Sequence, residues 1–178
     1  MKEKGRFDIV KLDVIKGVDR MYRKVEDFLV DWKNEADGTS RVLAAMTDDK
    51  LEQAIVQGHN TLGWLGWHLA TSPALFAGLV GLDVKANSQQ EIPDKVQTIL
   101  DAYKKIVNDI QEAVEQQLTN ELLNEEVESF GLMVPRGALL KKLVDHQTHH
   151  RGQMTVLLRQ AGLTVPGVLG GPTKEESN

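Results

Sequence analysis

The sequence predicts an all-α protein built as a bundle of four long helices. Two observations carry this reading. Apolar residues recur at three- and four-residue steps in four separate stretches, and no stretch shows the sustained alternation of a half-buried strand. Turn and loop signals such as Asp37-Gly38-Thr39-Ser40 and Gly58-His59-Asn60 separate stretches of this kind.

In the first stretch Val14, Val18, Met21, Val25, Phe28, Leu29 and Trp32 keep the helical period. Asp37-Gly38-Thr39-Ser40 is a turn signal, so the helix is expected to end before it. A short helical stretch is expected around Asp48 to Ile55, with Thr47 as its N-cap, and Gly58-His59-Asn60 reads as a loop.

From Thr61 to Leu82 the sequence contains no charged residue. Leu62, Leu65, Leu69, Phe76 and Leu79 make a broad apolar arc, while Gly63, Gly66, Ala70, Ala74, Ala77 and Gly81 permit close packing. A helix apolar all round is a core helix or a membrane span. His68, Thr71, Ser72 and Pro73 interrupt its middle, and the other helices need a shared core, which favours the buried helix. Asn60 or Thr61 caps it, and Pro73 should kink it or split it.

Asp83 to Gln90 is a polar connection, after which Ile92-Pro93-Asp94 opens a third helix running to about Leu118. Thr119 to Val134 is a second connection, with a short strand or turn around Val127 to Phe130. Pro135 opens the fourth helix, whose stripe is Leu139, Leu140, Leu143, Val144, Met154, Leu157, Leu158 and Ala161, closed by Gly162 and Pro166. Residues 1–171 read as one domain and 172–178 as a disordered tail.

The chain has 178 residues, 26 acidic against 21 basic, and no cysteine. That length suits one domain with a real core. The mild acidity argues against nucleic acid or an anionic membrane as partner. The missing cysteine removes disulfides, thiolate zinc sites and a thiol nucleophile of the protein's own. Met1 to Asp8 is charged and unlike a signal peptide, so a cytoplasmic protein is expected.

Chemistry concentrates in His146-Gln147-Thr148-His149-His150-Arg151-Gly152-Gln153 on the fourth helix. His146 and His150 lie about 40° apart on one helix face, a spacing that lets two imidazoles meet one metal ion. His149 is the rival partner. On a helical wheel, however, His150 falls inside the apolar stripe and His146 at its edge, whereas His149 lies outside with Lys142 and Gln160. His68 lies in the inward arc of the second helix, between Leu65 and Leu75. A lone core histidine needs only one hydrogen bond. Three in one core bury many polar nitrogens, and a shared metal explains them.

Thr61-Leu62-Gly63-Trp64-Leu65-Gly66-Trp67-His68-Leu69-Ala70 and the His146 to Gln153 motif, followed by Leu157-Leu158-Arg159 and Gly162, resemble two signatures of the DinB/YfiT-like metalloenzyme family. Val165-Pro166-Gly167-Val168-Leu169-Gly170 is similar to that family's C-terminal turn. The resemblance implies an up-down-down-up four-helix bundle, often a homodimer, with a divalent metal on three histidines. Its matching ligands here are His68, His146 and His150. Arg151, Gly152 and Gln153 match the motif without an assigned catalytic role. Close helix packing is expected of Gly152, and polar contacts holding the helix of Arg151 and Gln153.

Three imidazoles leave a coordination position open, and they suit zinc or nickel first, with iron, cobalt and manganese as alternatives. Relatives implied by the resemblance are transferases and isomerases that use low-molecular-weight thiols, such as bacillithiol or mycothiol, on small electrophiles. Metal-assisted hydrolysis is the alternative, with Asp145 or Glu128 as candidate base. A non-enzymatic bundle that binds a metal or ligand is the third reading. Neither nucleic acid nor membrane is an expected partner.

Overall fold

The computed structural model describes residues 21–168. The expected beginning of the first helix at Val14 and Val18, and the tail 172–178, lie outside them. The long helices are α1 (Val25–Ala44), α2 (Leu62–Val80), α3 (Val96–Gln117) and α4 (Arg136–Gln160).

Contacts between helix ends set the topology. Near the start of α1, Val25 N–H donates to Asn120 just beyond α3, and past its end Asp48 accepts from Val96 N–H at the start of α3. These two helices are therefore antiparallel. Tyr22 bonds Gly137 at the start of α4, and Arg41 bonds Gly167 beyond its end, so α1 and α4 are parallel. Arg136 of α4 donates to Val80 O at the end of α2, so this pair is antiparallel. The order is up-down-down-up, as expected.

The shared core contains Phe28, Trp32, Leu65, Leu69, Tyr103, Ile110, Leu140 and Leu143, all nearly inaccessible. The expected stripe of α4 points into it from Leu139 to Leu158, whereas on α2 Leu62, Leu65 and Leu69 are buried and Phe76 and Leu79 only partly so. On α2 the small residues matter as much as the large ones. A Cβ on Gly66 would stand 3.1 Å from Leu43 and 3.2 Å from Ile99, so α2 lies tight against α1 and α3. Among the described residues no helix is long and apolar enough to cross a membrane.

Several local expectations give way to packing. Asp37 to Ser40 does not end α1. Gly38 sits mid-helix because the Arg151 guanidinium passes 3.1 Å from where its Cβ would be. Thr39 Oγ1 donates back to Glu35 O at 2.9 Å, which keeps its hydroxyl satisfied inside the helix. Pro73 does not split α2, which runs unbroken because its packed sides hold it across the missing N–H. Asp48 to Ile55 shrinks to a single 3₁₀ turn, Asp48–Lys50, without a side-chain cap from Thr47. Asp48 instead caps α3, accepting from Val96 N–H at 2.9 Å and from Lys95 Nζ at 3.1 Å. Thr61 is the cap of α2, accepting from Trp64 N–H at 3.1 Å.

The connection before α4 is a β-hairpin, so the short strand or turn expected around Val127 to Phe130 is present and pairs with a second strand. Strand β1 (Glu126–Ser129) pairs antiparallel with β2 (Leu132–Pro135), in a register running from Glu126 opposite Pro135 to Ser129 opposite Leu132. Phe130 and Gly131 turn the corner with φ of 51° and 79°, the left-handed pair that a two-residue hairpin requires. Pro135 ends β2 and precedes the first turn of α4, so one residue serves both elements.

Gly152 is exposed with open space around it, so close packing does not explain it. Gly137 is the opposite case, since an added Cβ would stand 2.0 Å from Tyr22 O. Gly137→Ala should therefore destabilise the protein by about 2 kcal/mol or more. Gly152→Ala should stabilise it by up to about 1 kcal/mol through helix propensity. Urea unfolding of the two variants checks the pair, and equal midpoints would contradict this account of the α1–α4 approach.

Candidate metal centre

Because α2 and α4 are antiparallel, one turn of each can meet the other. His68 stands where the buried face of α2 meets solvent: Leu65 is 1% exposed and Leu75 is 60% exposed. The expected inward position of Leu75 is thus not observed, and His68 is half-buried at the boundary. His146 and His150 project from successive turns of α4 toward it.

The three Nε2 atoms converge. His68 and His146 are 3.0 Å apart at these atoms, and His146 and His150 are 3.1 Å apart. One ligand atom from each ring lies within 4.8 Å of the other two. A tetrahedral zinc ion with bonds of about 2.0–2.1 Å spaces its ligand nitrogens by about 3.3 Å. A small outward adjustment of the rings would meet that spacing, so the donor set fits a divalent cation.

The second nitrogen of His150 sets its tautomer. Nδ1 donates to Gln153 Oε1 at 2.8 Å, which leaves the Nε2 lone pair facing the other rings. Gln153 Nε2 in turn lies 3.3 Å from His149 Nε2, so the amide is held between two histidines. His149 is exposed and outside the convergent group, as the helical wheel implies. The Trp64 indole stacks on His68 at 4.7 Å, and Phe76 lies 5.1 Å from His146. His146 Nδ1 is buried without a partner, and so is the hydroxyl of Ser72, one turn beyond His68 on α2.

Electrostatics favour neutral rings. Burial, reinforced by His150, His68 and His149, pushes the His146 imidazole down to about 4. Burial and then His150 lower His68. Burial lowers His150 too, against the opposing hydrogen bond to Gln153. Neutral imidazole is the form that ligates a metal.

Neither candidate base joins the cluster. Asp145 is exposed and paired with Lys141, while Glu128 accepts from Gly131 N–H at 2.6 Å in the hairpin. Arg151 does make the expected holding contact. Its guanidinium, 2% exposed as a residue, reaches Glu35 Oε2 at 2.6 Å and donates to Glu35 O at 3.0 Å. Gln153 holds a histidine ring in place, a role its i,i+3 spacing from His150 makes visible in retrospect. Glu35 carried no local signal, because it is one acidic residue among several on α1.

An up-down-down-up helical bundle with three facing histidines able to hold a metal ion defines the class. The chain belongs to the DinB family, whose model matches residues 21–177. It is similar to the Bacillus subtilis protein YrdA, 40% identical over 157 residues covering 88% of this chain and 93% of that one. Bacillus subtilis YjoA is 32% identical over 100 residues, 54% of this chain and 64% of YjoA. The crystal structure of a DinB-like protein from Bacillus cereus is 40% identical, with a TM-score of 0.80, and the match covers 84% of this chain and 100% of that one. That of YjoA, 21% identical with a TM-score of 0.65 over 82% of this chain and 99% of its own, shows the fold alone.

The depressed His146 value has a consequence for folding. Between pH 6.5 and about 4 the unfolded chain holds a proton on this ring that the folded chain lacks. Stability of metal-free protein should therefore fall as pH drops through that window, with no contribution from His146 above it. Urea midpoints at pH 7 and pH 5 measure the loss. His146→Asn, which cannot titrate, should show a smaller loss, and an identical one would refute the assignment.

Proposed function

We propose that the protein binds one divalent ion through His68, His146 and His150 and acts as a transferase joining a low-molecular-weight thiol to a small electrophile. The convergence of the three Nε2 lone pairs carries this reading. His68, His146 and His150 would hold a divalent ion such as zinc or nickel, which would supply Lewis acidity favouring the thiolate form of an added thiol. The added thiol would lose its proton to solvent and its sulfur would supply the pair for the new bond to carbon, while a leaving group departs with the displaced pair or, in a conjugated acceptor, that pair takes a proton from solvent.

The chain's own residues prepare this. Gln153 fixes the His150 tautomer, so a lone pair rather than an N–H points inward. Trp64 walls one side of His68 with apolar surface and limits water there. With no cysteine in the chain, a sulfur nucleophile must come from outside. Hydrolysis is less favoured, because the two candidate bases are engaged elsewhere. The resemblance supports a bacillithiol- or mycothiol-type cofactor and a homodimer.

Elemental analysis of untagged protein should find about one divalent ion per chain. His68→Ala, His146→Ala and His150→Ala should each lose it, whereas His59→Ala should not. Gln153→Met should retain helicity yet weaken metal affinity by about 10–100-fold, since it frees the His150 ring. Full occupancy in His68→Ala would remove the three-histidine site.

In cobalt-substituted protein a bacterial low-molecular-weight thiol should add a sulfur-to-metal charge-transfer band. Turnover of an electrophile should require metal and thiol together. If no thiol perturbs the spectrum, the transferase reading fails; ester or amide turnover with metal alone would favour the hydrolase.

A further inference from the structure

A cleft of about 340 Å³, lined by none of the three histidines, lies about one helical turn from His68 and His150 at the end of the bundle crossed by residues 55–60. Ile55, His59 and Asn60 line it from that loop, Leu65 from α2, and Gln153 and Val156 from α4. Leu65 is one turn before His68, and Gln153 is one turn after His150. In antiparallel helices those two steps run the same way along the bundle. Gln153 belongs to both places, lining the cleft and bonding His150 Nδ1.

The cleft is built into the fold. The loop is closed at its neck by a bridge between Ala54 and Thr61. Leu62 N–H donates to Gln53 O at 2.9 Å and Gly63 N–H to Leu51 O at 2.8 Å, which ties the loop to the start of α2. Its volume lies within the roughly 300–1,000 Å³ typical of small-molecule sites.

Its chemistry selects a ligand class. No Asp, Glu, Lys or Arg lines it. A charged guest would lose water there and gain no counter-charge. Two apolar lining residues are exposed, Ile55 at 54% and Val156 at 46%, which packing within the chain does not explain. The Asn60 amide and His59 ring supply donors for an acceptor oxygen.

We propose that this cleft is the electrophile subsite and takes a small uncharged molecule with an apolar body and a carbonyl-type acceptor facing Asn60 and His59. The word electrophile rests on the transferase reading above. Occupancy of the cleft does not.

The probe is N-phenylsuccinimide, neutral and unreactive, against its ring-opened carboxylate N-phenylsuccinamate. Each is titrated into the full chain, with and without zinc, and followed by backbone amide NMR. The imide should shift Ile55, Asn60, Gln153 and Val156 saturably, and the carboxylate should bind roughly tenfold more weakly or worse. The double variant Ile55→Glu, Val156→Glu changes exposed side chains only. It should keep the native circular dichroism and zinc stoichiometry while losing roughly tenfold in imide affinity.

Absence of shifts at these residues, equal affinity for imide and carboxylate, or unchanged imide affinity in the double variant would each overturn the subsite. If that variant turns a dimer into a monomer and leaves imide binding intact, the rim is an interface between copies and the proposal falls. No thiol or turnover enters the titration. A failed cobalt–thiol experiment would therefore leave a positive cleft result standing, and a negative cleft result would leave the metal and thiol results untouched.

Discussion

The buried pair between Arg151 and Glu35 decides how α4 is turned, and much else follows from that rotation. A guanidinium taken out of water is tolerated only with its charge met and its N–H groups bonded, and Glu35 offers both a carboxylate and a backbone carbonyl. Thr148 adds a hydrogen bond to the same carboxylate at 3.1 Å. Removing one partner of such a pair typically costs about 3–5 kcal/mol, a large share of a domain's stability. With Arg151 facing α1, helix geometry assigns the other faces. Gln147, one turn earlier, meets the Tyr103 hydroxyl of α3 at 3.0 Å. His150 and His146 lie about 100° and 140° round the helix from Arg151, toward α2.

On the opposing helix the constraint is close approach. Gly66, Ala70, Ala74 and Ala77 give α2 little bulk, so its backbone sits tight against its neighbours. That face packs on α1 and α3, and His68 meets the two imidazoles of α4. Apolar surroundings then keep the rings uncharged at neutral pH, with His146 held lowest because it is buried and lies between the other two. Packing, tautomer and charge state are separate effects, yet all leave lone pairs converging on one point.

The polar residues that support the centre are arranged around a single helix. Gln153 orients His150, Arg151 anchors the helix to α1, and Gln147 bonds across to α3. Mutating any of them would disturb the histidines without touching them. The adjoining cleft is reached through the same Gln153 side chain, which couples the shape of the cleft to the position of a histidine.

The existence of four helices, their apolar faces and the choice of His146 and His150 over His149 were legible in the chain alone. Period and spacing are local quantities, and a helix turns them directly into faces. The close packing of α2 was also readable, since small residues permit it wherever they occur in register. What the sequence could not decide was anything set by a residue far away. Gly38 and Thr39 carry a turn's composition but sit inside a helix, where Gly38 leaves room for Arg151, over a hundred positions later, and Thr39 bonds back to Glu35 O. The cap of α3 comes from Asp48 rather than from its own flank, and Leu132 to Pro135 become a strand only by pairing with Glu126 to Ser129. The approach of His68 to His146 belongs with these. Each residue's helix was predictable, but their 3.0 Å separation depends on two antiparallel helices meeting at one register, and only the packed core selects that register.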